Sequence, residues 1–193
     1  MANSDETLFL WINGLVGAMP IVDGAAQIAA SDYLAPAILA FALMALWFGE
    51  SNAEVRLRQQ VGVFVALSSM GLSGLVVFIL NMFYYRPRPF VDLDVNLLFY
   101  QPTDSSFPAN SAAAAFGIAF GIWGVNRKLG WFAVVVAGVY GLARVYAGVH
   151  YPMDIVAGAA IAAVVTYAVF RISDLAMPIL TTIIKVGRIL RLA

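Results

Sequence analysis

The stretch VGVFVALSSMGLSGLVVFILNMFYYRPRPF, Val61–Phe90, joins two kinds of chain. Val61–Phe83 holds no charged residue and meets the roughly 20 mostly apolar residues that a spanning helix needs. It runs directly into Arg86-Pro-Arg88-Pro, where the prolines end the helix and hold the chain extended. A membrane span with two arginines at its exit predicts a polytopic protein that gathers charge at one end. The rest of the 193-residue chain agrees: it is 62% hydrophobic and only 11% charged, where soluble domains average about 25%.

Five segments read as spans: Tyr33–Phe48, Val61–Phe83, Ser111–Val125, Trp131–Ala147 and Met153–Phe170. The expected fold is therefore all-α, a membrane helix bundle forming one domain over residues 1–193. Leu8–Ile21 is apolar but interrupted by Asn13, Gly14 and Pro20, which suits an interfacial or re-entrant helix; a tilted sixth span or a packed half-helix are its rivals. The acidic start MANSDETLFL lacks the basic region of a signal peptide and is read as mature protein. In the tail, residues 173–193, Lys185, Arg188 and Arg191 recur at intervals of three among Ile and Leu. That spacing fits a basic amphipathic helix on an anionic leaflet, or a frayed basic terminus.

Charge placement sets the orientation. With five spans, eight of the eleven basic residues (Arg56, Arg58, Arg127, Lys128, Arg171, Lys185, Arg188, Arg191) fall on one side, which excess Lys/Arg marks as cytoplasmic. Arg86, Arg88 and Arg144 face the other way, near membrane depth, where a charge is costly unless paired or functional.

Each of these arginines borders a polar cluster. Arg88 offers a planar fork suited to phosphate oxygens, although paired arginines can also snorkel to headgroups. In SSFPANSAAAAF, Ser105–Phe116, Pro108 and Asn110 suit a helix start near Ala109 or Asn110. The free first-turn amides and the dipole there make an anion site with Asn110 and Ser111, unless this is an ordinary capped start. In ARVYAGVHYPMDIVAG, Ala143–Gly158, the chain's one histidine, His150, has Asp154 at i+4 and Arg144 at i−6. The carboxylate can hold one ring nitrogen and fix the tautomer, though a lone interfacial His is usually an ordinary polar residue. Two arginines, a helix mouth and a His–Asp pair suit phosphoryl transfer with His as nucleophile. Zero cysteines and one histidine among scattered acids offer no metal-ligand spacing, so no metal or other cofactor is expected, and no nucleic-acid partner.

These stretches, with a motif core over residues 81–158, resemble the type 2 phosphatidic acid phosphatase superfamily, whose membrane members dephosphorylate lipid phosphates and diphosphates. Its third motif, S-R-x5-H-x3-D, matches at Arg144, His150 and Asp154, and its first at Arg88 and Pro89. The resemblance implies that His150 forms a phosphohistidine, that Asp154 orients it, and that Arg88 and Arg144 bind phosphoryl oxygens. The family Lys is Asn81 here, two motif serines are Ala109 and Ala143, and the histidine that protonates the leaving oxygen is Ser111. General acid catalysis contributes about 10²–10⁴-fold, so losing it favours a leaving group that needs no proton. A phosphate, with a second pKa of about 6, is such a group. The resulting expectation is an outward-facing polyprenyl diphosphate phosphatase acting on a membrane lipid. Its alternatives are a phosphatidic acid or phosphatidylglycerophosphate phosphatase, an impaired or engineered relative that binds lipid phosphate without efficient turnover, and a transporter. The lack of inverted repeats counts against the last.

Overall fold

The structure, a computed structural model, describes residues 4–189. Among these there are eight helices and no strand: α1 Ser4–Asn13, α2 Pro20–Ala30, α3 Leu34–Phe48, α4 Ala53–Phe83, the single turn α5 Pro89–Asp92, α6 Asn110–Val125, α7 Arg127–Tyr146 and α8 Pro152–Ile189. The all-α bundle expected from composition is therefore the fold.

α4 begins eight residues before its apolar run, because Asn52 caps it: Asn52 Oδ1 accepts from the amides of Glu54 at 3.0 Å and Val55 at 3.2 Å. α6 and α7 share one capping residue. The Asn126 amide donates to the Ile122 carbonyl, closing α6, and its Oδ1 accepts from Leu129, opening α7. α6 is the buried axis, enclosed by α4, α7 and α8, and its interface is lined with small residues. Any side chain at Gly121 would run into the Ala66 backbone of α4, one at Gly117 would meet Ser69 and Met70, and one at Gly158 of α8 would meet Ala109 and Ala113. Close helix approach through small residues is how membrane helices gain packing when lipid is as apolar as leucine. Gly121→Leu is expected to lower stability by at least about 1–3 kcal/mol, read as earlier thermal unfolding in detergent micelles.

The spans differ from expectation in two places. Three helices, α4, α7 and residues 152–173 of α8, are long and apolar enough to cross a membrane alone. α2 and α3 qualify only as a pair, bent by 55° at Ser31–Tyr33, so the segment expected to start at Tyr33 is the second half of a broken element. α6 has 16 residues, about 24 Å of helix against a hydrocarbon core of roughly 30 Å. Its N-terminus opens into a cavity inside the bundle.

Leu8–Ile21 is not one helix either. α1 ends at Asn13, a turn passes through Gly17 at φ +90°, and Pro20 opens α2. Asn13 explains the break. Its buried amide donates to the carbonyls of Asn96 and Tyr146, both at 2.9 Å, and accepts from the Asn96 amide at 2.9 Å. α1 keeps an apolar exposed side, with Trp11 68% exposed, as an interfacial helix would. α8 remains helical to Ile189, while the side chains of Lys185, Arg188 and Arg191, on which the expected amphipathic tail rests, lie outside the described residues.

Candidate functional site

Chain direction brings the polar clusters to one end of the bundle. α4 and α7 finish there, α6 and α8 begin there, and the α2–α3 bend lies against them. Between these ends lies a cavity of about 320 Å³, lined by Arg88, Arg144, His150, Asn110 and Ser111 together with Asp32, Asp104, Tyr100 and Tyr140. Five of the six residues singled out from sequence therefore meet on one wall. The sixth, Asp154, sits behind it with no exposed surface.

α7 runs out at Tyr146, and Gly148 at φ +89° reverses the chain, a conformation that L side chains rarely adopt. The Val149 amide then returns to the Arg144 carbonyl at 3.1 Å, which delivers His150 to the cavity. The His150 Nδ1 lies 3.1 Å from the Ser106 carbonyl oxygen, which can only accept, so Nδ1 carries the hydrogen and Nε2 holds the lone pair. That Nε2 lies 3.2 Å from Arg88 Nη1. Asp154 was expected to be the tautomer-fixing partner. Its Oδ2 is 3.6 Å from Nδ1, beyond hydrogen-bond distance, because Ser106 is interposed.

Asp154 is instead the hub beneath the histidine. It accepts from Ser106 Oγ at 2.5 Å, from the Tyr151 amide at 2.8 Å and from Arg86 Nη1 at 2.8 Å. Arg86 also donates to Asp5 of α1 at 2.9 Å and lies over the Tyr151 ring at 3.9 Å. Asp5 in turn accepts from the Met153 amide at 3.0 Å. Arg86 is thus a structural tie between α1 and Asp154 and is absent from the cavity lining, a role its sequence position beside Arg88 did not distinguish.

The other two arginines are buried, each 4% exposed, and each holds an acid. Arg88 donates through Nη2 to Asp104 Oδ1 at 2.7 Å, through Nε to the Asp104 carbonyl at 3.1 Å and through Nη1 to the Val149 carbonyl at 2.8 Å. Arg144 Nη1 donates to Asp32 Oδ1 at 2.7 Å, to Tyr140 Oη at 2.8 Å and to the Ala30 carbonyl at 3.2 Å. Asp32 also accepts from the Tyr100 hydroxyl through Oδ2 at 2.9 Å. Burial pushes His150 below the usual imidazole range and outweighs the upward pull of Asp154, with the charges of Arg88 and Arg144 adding to the depression.

α6 starts at Asn110, where the sequence placed it, but neither Pro108 nor Asn110 takes the capping role expected of it. Ala109 is the N-cap with no side-chain bond, its amide donates to the Asp154 carbonyl at 3.0 Å, and Asn110 is the first helical residue. The amides of the first turn have no partner within the helix, and they open beside Asn110 and Ser111 at the cavity. Asn81, at the position of the family lysine, lines a neighbouring cavity with Tyr85, Asp104, Ser105 and Asn110 rather than this one.

An all-helical bundle with several apolar helices, and a buried histidine between two arginines at one end, defines an integral membrane protein with an anion-ready pocket. Residues 62–178 match the PAP2 superfamily, and the chain belongs to that family. It is 32% identical over 154 residues to a Bacillus subtilis protein named undecaprenyl-diphosphatase BcrC, covering 78% of this chain and 76% of that one. It is 30% identical over 122 residues to the bacitracin transport permease protein BcrC of Bacillus licheniformis, covering 63% of this chain and 58% of the other. Among solved structures, the crystal structure of Aquifex aeolicus LpxE superposes with a TM-score of 0.65 at 28% identity, over 88% of this chain and 96% of that one.

Proposed function

We propose that the protein is a lipid phosphatase that cleaves a polyprenyl diphosphate on the extracytoplasmic face of the membrane, through a phosphohistidine at His150. The observation that carries this reading is the His150 Nε2, unprotonated and opening beside Arg88 on the cavity while Nδ1 is held by Ser106. The name of the Bacillus subtilis relative supports the substrate class. The opposite end of the bundle, which carries Arg56, Arg58, Arg127, Lys128 and Arg171, supports the sidedness through the bias of basic residues toward the cytoplasm.

In this reading Nε2 attacks the terminal phosphorus. A nitrogen–phosphorus bond forms, the bridging P–O bond breaks, and the lipid leaves as its monophosphate. Arg88, Arg144 and the first-turn amides of α6 hold the non-bridging oxygens, where charge is carried in the transition state. The imidazolium that forms faces the Asp154 carboxylate. Water then cleaves the N–P bond, releasing inorganic phosphate and restoring neutral His150.

Ser111 stands at the cavity where the family places its acid. A lipid phosphate departs without a proton, whereas the alkoxide of phosphatidic acid needs one. Phosphate release should therefore be faster from farnesyl diphosphate than from phosphatidic acid, and Ser111→His should raise the phosphatidic acid rate by about 10-fold or more. Equal rates on both lipids, unaltered by Ser111→His, would defeat the diphosphate assignment. Ser111 also favours a second reading, a protein that binds lipid phosphate without turnover. Tight binding with no release from any lipid would select it.

A further inference from the structure

Arg88 and Arg144, to which the proposed function assigns phosphoryl oxygens, each already hold a carboxylate at 2.7 Å. We infer that Asp104 and Asp32 are internal competitors for the phosphate site, each holding one terminal nitrogen of an arginine and yielding it to a phosphate dianion in an exchange that sets which anions the site accepts. This rests on the phosphatase reading for its substrate, and on the geometry below for the exchange.

The two sides of each ion pair are unequal. The arginine side chains are 5% and 4% exposed, while Asp104 is 61% and Asp32 43% exposed. The arginines are fixed as well. Arg88 is pinned by the carbonyls of Val149 and Asp104, and Arg144 by Ala30 and Tyr140. The acids stand on connecting segments, Asp104 between α5 and α6 and Asp32 at the bend between α2 and α3. An exposed carboxylate returns to water at little cost, whereas a buried guanidinium left without an anion is strongly unfavourable. Swapping carboxylate for phosphate oxygen keeps both cations paired throughout binding and release.

The exchange discriminates by charge. A terminal phosphate monoester carries up to two charges and three open oxygens, and free phosphate one oxygen more, enough to replace two carboxylates at two guanidinium groups. A phosphodiester headgroup, with one charge and two open oxygens, replaces them poorly. At a membrane surface crowded with phosphodiester lipids, Asp32 and Asp104 would thus keep the pocket for terminal phosphates.

The test uses the full chain in neutral detergent micelles, comparing wild type with Asp32→Asn, Asp104→Asn and the double variant. Isothermal titration with inorganic phosphate reads the free-anion arm, and KM and kcat for farnesyl diphosphate read the lipid arm. The double variant is expected to bind phosphate about tenfold more tightly, with KM falling alongside, and to become inhibited by added phosphatidylglycerol. Unchanged or weaker phosphate binding in the double variant would overturn the inference, since the acids would then be supports for the arginines. A wild-type protein that hydrolyses no lipid phosphate would defeat the phosphatase reading alone, because the phosphate titration still reads the exchange.

Discussion

The His150→Ala variant is expected to lose phosphate release from farnesyl diphosphate by about 10⁴-fold or more while remaining folded. No other group lining the cavity can take over as nucleophile. Asp32 and Asp104 are anions that the bound phosphate repels and displaces, and the tyrosine and serine hydroxyls are protonated at neutral pH. His150 is 2% exposed and ties to the Ser106 carbonyl and to Arg88, which keeps Asp104 and the Val149 carbonyl, so its removal leaves a small cavity rather than an unpaired charge. Retained micelle stability with lost turnover is the expected pair of results; substantial residual release would show that another group attacks phosphorus.

The same imidazole sets the expected pH profile. Burial and the two arginine charges depress its pKa, so neutral His150 persists as the pH falls through the ordinary value of about 6.5. The acid limb of kcat/KM should therefore lie below that value. Arg88→Gln removes one of the depressing charges and should move the limb upward, whatever it does to the maximal rate.

Asp154→Ala is expected to cost about 3–5 kcal/mol of stability, and most of the activity with it. The carboxylate is fully buried and collects the Arg86 guanidinium, the Ser106 hydroxyl and the Tyr151 amide. Truncation strands all three, and Arg86, with a side chain only 18% exposed, keeps Asp5 alone as its anion. Asp154→Leu combined with Arg86→Met removes charge and counter-charge together and should recover much of the stability but not the rate. Thermal unfolding and turnover measured side by side separate the two roles. Recovery of both would show that Asp154 serves only the fold.

The reactive wall of the site was legible because its signals are local. His150, Arg144 and Asp154 lie within eleven residues, and Arg88 with Pro89 marks the exit of the most apolar run. The supporting charges were not legible in the same way. Arg86 meets Asp154 across 68 positions and Asp5 across 81, and Arg144 meets Asp32 across 112. No spacing rule reaches that far; a clue lay only in three arginines at a membrane surface that required anions from somewhere. The α2–α3 bend escaped for a related reason. Ser31-Asp32 is a modest polar interruption by sequence, and it becomes a corner because Arg144 holds Asp32 and because Ser31 Oγ accepts the Leu34 amide at 3.3 Å. Leu8–Ile21 carried visible breakers in Gly14 and Pro20. The partners of Asn13, Asn96 and Tyr146, lie more than 80 residues on.

The tie from Asp5 to Arg86 and to the Met153 amide also orders events during synthesis. α1 leaves the ribosome long before either partner exists, the second of them 148 residues later. Arg86, Asn96 and Tyr146 reach α1 before α8 does, and until the first of them is made the apolar residues Leu8 and Trp11 can rest only at the lipid–water boundary. The centre beneath His150 therefore closes late. A chain stalled before His150 carries both arginines of the Arg-Pro-Arg-Pro turn and no nucleophile, and one stalled between His150 and Asp154 carries the nucleophile without the carboxylate beneath it.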